Sequence, residues 1–168
     1  MKSIAMFRNV IVLAALGASA GLALAAGSKT TDIGVAATVV SNCLISTPST
    51  GLSFGTYDPM SGTDNTASTT FKVRCSKNAG YTIGLSKGGG ASESARKMAL
   101  SNELSMDYGL YSDSAHGTNW GASSGTIGGN GTGLSTDIEL TVYGKIPKNQ
   151  YDVGVGAYAD TVVATITY

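Results

Sequence analysis

Residues Tyr158–Tyr168 read YADTVVATITY. Val162, Ala164, Ile166 and Tyr168 alternate with Thr161, Val163, Thr165 and Thr167. Period-2 alternation of β-branched and aromatic residues marks a strand with one face on a core. The sequence stops inside this pattern and offers no further strand to lie beside it. Such a strand is expected to border an open groove flanked by Val162, Ala164, Ile166 and Tyr168. The pattern alone leaves open which parity faces inward.

A second alternating stretch lies near the other end. Ile33, Val35, Ala37 and Val39 share one face, and Asp32, Gly34, Ala36 and Thr38 share the other. A domain short of a strand, in a chain with a spare one, predicts subunits that complete each other. The competing reading is an ordinary first strand of the domain's own sheet. Residues 33–45 read as one long strand or two consecutive ones, and Val39, four residues before Cys43, is the least secure donor residue.

The first residues read as a targeting segment. Lys2 and Arg8 give a positive start, residues 10–16 are apolar, and Ala23-Leu24-Ala25 is a small-x-small cleavage pattern. The apolar run is short for a bilayer span. The expected division is a signal peptide over 1–26, an arm over 27–39 and one domain over 40–168, long enough to bury a core. The chain holds 11 basic and 11 acidic residues, and removing Lys2 and Arg8 leaves 9 against 11. With no basic patch or charge run, nucleic acid is not an expected partner.

Between the two alternating stretches, short strands are expected at Leu52–Phe54, Thr70–Cys75, Tyr81–Leu85, Leu104–Leu110 and Thr136–Ile146. Polar and glycine-rich loops over 61–69, 87–96 and 112–134 separate them. Many short strands with turn residues between them predict an antiparallel sandwich. Cys43 and Cys75 both fall in strand-like stretches, and an even count in an exported chain reads as a disulfide. Two free buried thiols are the alternative; one histidine and two distant cysteines make a poor zinc set.

Catalytic signals are weak. His116, the single histidine, lies three residues after Asp113 in a Gly/Ser loop, without a G-x-S-x-G elbow. GGNGTG completes neither G-x-G-x-x-G nor a P-loop, and Asp58, Asp64 and Asp113 match no calcium-loop spacing. No metal site or cofactor is expected. Trp120 reads either as core packing or as a platform for stacking a sugar. Asn130-Gly131-Thr132 matches a glycosylation acceptor in form only.

A series of segments, NCLIS, LSFGTYDP, FKVRC, GYTIGLSKG, ARKM, LSMDYGLYSD, NWG, YGKIP and GAYADTVVATITY, resembles the spore-coat-protein-U-like domain of archaic chaperone–usher pilins. The resemblance implies an all-β fold, an incomplete immunoglobulin-like antiparallel sandwich lacking its last strand, with an N-terminal donor-strand extension. It implies a periplasmic chaperone that fills the gap and anchors the carboxylate of Tyr168. It further implies an outer-membrane usher where the arm of a neighbouring copy or related pilin subunit takes the chaperone's place. The implied role is a structural subunit of a surface pilus for attachment and biofilm formation. A secreted spore or cyst coat protein is the alternative within the family. A sugar-binding adhesin and an exported hydrolase lie outside it, the hydrolase lacking residues to act with.

Overall fold

The computed structural model describes residues 27–100 and 104–168; the targeting segment assigned to 1–26 lies outside them. By its internal contacts the chain divides into residues 1–37 and 38–168. In the first unit, residues 27–37 contain no strand, and Ile33 and Val35 are 81% and 91% exposed.

The second unit has eight strands and, among the described residues, no helix. In chain order they are β1 Cys43–Thr47, β2 Asn65–Cys75, β3 Gly80–Leu85, β4 Arg96–Ala99, β5 Ser105–Tyr111, β6 Ile127–Asn130, β7 Ile138–Ile146 and β8 Ala164–Thr167. One sheet runs β1-β2-β7-β5-β4 and the other β6-β3-β8, with every pairing antiparallel. The central ladder is β2 on β7, in register from Asn65 opposite Ile146 to Val73 opposite Ile138.

Alternation explains the layering. Phe71, Val73 and Cys75 of β2, Leu140, Val142 and Ile146 of β7, and Met106, Tyr108 and Leu110 of β5 are buried. They meet Tyr81, Ile83 and Leu85 of β3 in one core. Burial of each large side chain contributes roughly 1.5–3 kcal/mol, an upper estimate against an extended unfolded chain. Pro147 follows β7 directly, where its missing N–H ends the ladder.

Several strands differ from expectation. The one long or two consecutive strands expected over residues 33–45 reduce to Cys43–Thr47, because residues 27–42 have no ladder partner among the described residues. Leu52 and Phe54 lie in an unpaired segment instead of a short strand. β2 starts earlier than expected, at Asn65, since Thr66 and Ser68 continue the ladder on β7. The glycine-rich stretch hides β6, whose residues IGGN lack strand propensity but pair with β3. The terminal strand is shorter than its pattern: the ladder covers Ala164–Thr167, and Val163 is held just before it by Ser86 through both backbone groups.

Cys43 and Cys75 face each other in the β1–β2 register and form a disulfide with a sequence separation of 32. On the chain-entropy account such a loop contributes roughly 3–4 kcal/mol, although that mechanism is disputed. The bridge fastens a five-residue strand whose Leu44 and Ile45 are exposed.

Outside the core, Asp137 ties β1 and β2 to the start of β7. Arg74 Nε and Ser46 Oγ donate to its Oδ1 at 2.6 and 2.7 Å. The bond from Arg74, then that from Ser46, lowers the Asp137 carboxyl from 3.8 to about 2. A carboxyl with a depressed folded pKa contributes stability that is present above its unfolded value and lost as pH falls through the folded one. Asp137→Asn should therefore lower the melting temperature near neutral pH by roughly 1–3 °C, since exposed pairs contribute little. The gap from the parent should close between pH 4 and pH 2. Melts across that range check this, and a constant gap contradicts it.

Candidate functional site

Between β8 and residues 49–54 lies an open cleft of about 490 Å³. Phe71, Leu85, Leu110 and Val142, from four different strands, line it with apolar side chains. Leu52 and Phe54 stand on one side, and Val162 and Ala164 on the other. A neighbouring hollow of about 640 Å³ shares Leu52, Phe54, Met98 and Tyr158 with it and continues to Ile146 and Val153. The two adjoin at these shared residues and together make up the furrow.

The sequence shapes this furrow through glycine and asparagine. Gly144 takes an inward position on β7 between Val142 and Ile146. A Cβ there would lie 2.7 Å from Phe54 Cζ and 2.9 Å from Leu52 Cδ1, so the missing side chain makes room for both. The 52–56 backbone has no ladder; the Asn65 side-chain amide donates to the carbonyls of Phe54 and Thr56, both at 3.1 Å. Tyr57 adds a tie, its hydroxyl donating to the Pro147 carbonyl at 2.9 Å. The segment is thus anchored without a neighbouring strand.

On the opposite side β8 is the edge of its sheet and, among the described residues, pairs only with β3. An edge strand leaves a row of backbone donors and acceptors available to an added strand. Its alternation resolves the parity question. Val162, Ala164 and Ile166 pack on the core, while Val163 and Tyr168 are exposed. Val162 and Ala164 reach the cleft, Ile166 packs at the register position opposite Ile83, and Tyr168 is not buried with them. Of the expected donor residues, Ile33, Val35 and Val39 are exposed large apolar side chains and Ala37 is exposed as well.

One end of the cleft is polar. The Tyr108 hydroxyl donates to Asp160 Oδ2 at 2.5 Å. Burial, then the bond to Asp160, pushes the Tyr108 pKa well above its usual value, so the hydroxyl remains a donor. Beneath it lies a feature that the sequence does not announce. Arg96 is fully buried, and its guanidinium donates to the carbonyls of Leu85, Ser86, Glu93 and Trp120 and to Asn119 Oδ1. Burial lowers its pKa, and the nearby Tyr108, Glu93 and Asp160 oppose that shift.

Trp120 is not a sugar platform. It is fully buried, its ring stacks on Phe71 with centroids 6.2 Å apart, and its Nε1 donates to the Ile83 carbonyl at 2.8 Å. The Asp113 carboxylate accepts from the amides of Gly117 and Thr118 and caps its own loop, while the His116 ring packs edge-on against Tyr111. Among the described residues no three His, Cys, Asp or Glu side chains gather as a metal site would require. The arrangement is suited to receiving an extended apolar segment: an open furrow, a hydrophobic floor and a free sheet edge.

The Spore Coat Protein U domain matches residues 29–165. Protein U of Myxococcus xanthus is 34% identical over 157 residues, covering 85% of this chain and 87% of that protein. A similar fold occurs in a chain of the chaperone–tip adhesion subunit pre-assembly complex from archaic chaperone–usher Csu pili of Acinetobacter baumannii. That match has a TM-score of 0.56 and 22% identity over 78% of this chain, which spans 40% of the length of the solved chain. The family match, the Protein U relative and the all-β sandwich lead to one assignment: the chain belongs to the Spore Coat Protein U domain family.

Proposed function

We propose that this protein is a non-catalytic structural subunit that polymerises at the cell surface by strand donation. It is exported with residues 1–26 as its signal peptide. Residues 27–39 of one copy, with Ile33, Val35, Ala37 and Val39 as the buried face, enter the furrow in the 40–168 domain of another copy or a related pilin subunit. Val162 and Ala164 flank the strand they receive, and Ile166 and Tyr168 follow along the same edge without lining the cleft. The open apolar cleft beside the β8 edge is the observation that carries this reading. Before assembly a periplasmic chaperone fills it, contacts the same flanking residues and binds the Tyr168 carboxylate; an outer-membrane usher is the place of exchange. The product is a pilus serving attachment and biofilm formation.

The kinship with Protein U favours a second setting, a spore or cyst coat, in which the same junction would build a layer instead of a fibre. Microscopy of the producing cells distinguishes the two.

The test is a photo-crosslinking amino acid placed at position 35 of the full chain. Illumination should join it to residues of the furrow, such as Leu110 or Ala164, in a second copy, as mass spectrometry of mixed isotope-labelled chains would show. Adducts confined to residues outside the furrow would overturn the reading.

A further inference from the structure

The non-ladder stretch before β8 is fixed by one carboxylate. Asp160 Oδ1 accepts from the amides of Gly89 at 2.9 Å and Thr161 at 2.7 Å, while Oδ2 accepts from Tyr108. Three separate parts of the fold thus meet at one side chain: the β3–β4 loop, β5 and the approach to β8. Gly88 shows how closely they fit. It has a φ of +60°, and a Cβ there would lie 2.1 Å from Asp160 Oδ2. Only glycine suits both the backbone conformation and the space. Ala159, one residue earlier, makes a two-bond bridge to Ala99, and Val163 is held by Ser86.

These bonds hold residues 159–163, and Ala159 to Val162 among them line one side of the cleft. A strand added to β8 needs that backbone held in place and the space over Leu85 and Leu110 kept open. Ladder hydrogen bonds do this for Ala164–Thr167 but not for the residues before them. We infer that Asp160 is the positioning residue of the strand-accepting cleft, a polar latch that fixes the 159–163 rim through Tyr108 and Gly89 so that an incoming donor strand finds it preformed. This inference rests on the strand-accepting reading of the cleft. Preorganisation of this kind raises affinity by removing an ordering cost from the binding step.

The test measures binding of a fluorescent peptide of residues 29–40 to the full chain by anisotropy, alongside thermal melts. Asp160→Ala removes all three acceptor bonds and should weaken the peptide at least tenfold. Asp160→Asn keeps one acceptor oxygen and an amide, and should recover affinity to within about threefold of the parent. Tyr108→Phe keeps the ring and loses only the hydroxyl; it should weaken binding about threefold and keeps the test open if Asp160→Ala does not fold. Asp137→Ala is the control, since it breaks a carboxylate tie away from the cleft. If Asp137→Ala weakens the peptide as much as the Asp160 variants at a matched loss of melting temperature, Asp160 acts only on stability and the latch is overturned. The latch is equally overturned if every Asp160 and Tyr108 variant binds like the parent. Failure of the parent itself to bind the peptide would instead overturn the strand-accepting reading, and the latch with it.

Discussion

Replacing Arg96 by methionine should destabilise the domain by several kcal/mol, a large share of its stability. Methionine fills most of the same space and leaves little cavity, so the substitution isolates the hydrogen bonds. The guanidinium donates to the buried carbonyls of Leu85 and Trp120, at 3.1 and 2.7 Å, and to the half-buried carbonyls of Ser86 and Glu93. Each buried acceptor left unsatisfied costs about 1–3 kcal/mol. The two deepest alone therefore cost roughly 2–6 kcal/mol, against a total stability on the order of 5–15 kcal/mol for a domain of this size. Relief of the buried charge works the other way, and replacing a whole buried ionic group by apolar ones is often neutral. Here the acceptors are backbone carbonyls, which remain after the substitution, so their loss decides the sign. Arg96→Lys supplies fewer donors without the planar fork and should recover only part of the loss. Soluble yield and thermal melts of the three chains check the order Arg, Lys, Met. A methionine variant within about 1 kcal/mol of the parent would show that the carbonyls find other partners.

Arg96 also shows where sequence reading stops. The two inner faces are legible because period 2 runs through Phe71-Val73-Cys75, Ile138-Leu140-Val142 and Met106-Tyr108-Leu110 in one sheet and Tyr81-Ile83-Leu85 in the other. The cysteine pairing is legible from its number and strand context. A charged residue at the end of a glycine-rich loop looks solvated, and nothing in the sequence predicts that four carbonyls converge on it. Trp120 is ambiguous for a related reason, since a lone tryptophan beside a glycine packs inward or outward according to its tertiary partners. β6 is hidden because IGGN is a strand by pairing with β3, not by propensity.

The cleft is legible only in outline. The alternation Val162-Ala164-Ile166 points to an apolar face at the border of a groove, and the structure supplies its parity. The opposite side is not legible. Leu52 and Phe54 look like a short strand, but their position depends on the space left at Gly144, directly against them, and on the Asn65 side chain. The first is distant in sequence, the second spans a loop of 9 to 11 residues, and neither leaves a periodic trace. Asp160 is hidden in the same way, because its partners Tyr108 and Gly89 lie 52 and 71 residues away in sequence.

Val35→Asp should abolish polymerisation while leaving each domain folded. Val35 is 91% exposed in the single chain, so a carboxylate there costs the subunit little. In a junction the same side chain would enter a cleft floored by Phe71, Leu110 and Val142. The change removes about 1.5–3 kcal/mol of apolar burial and adds an unpaired charge whose desolvation costs several kcal/mol more. A combined loss of roughly 4 kcal/mol or more is about a thousandfold in each junction's equilibrium, and a fibre multiplies that loss at every link. Val35→Ala should fall between the two, forming fewer and shorter polymers, because it loses burial without adding charge. Asp32→Asn, on the opposite face of the same segment, should polymerise like the parent. Denaturant-resistant ladders on gels and electron microscopy of full-length chains give the readout, with circular dichroism to confirm that each variant folds. If Val35→Asp built fibres like the parent, Val35 would not be buried at the junction. If a chain lacking residues 27–38 also did so, strand donation by this segment would have to be abandoned.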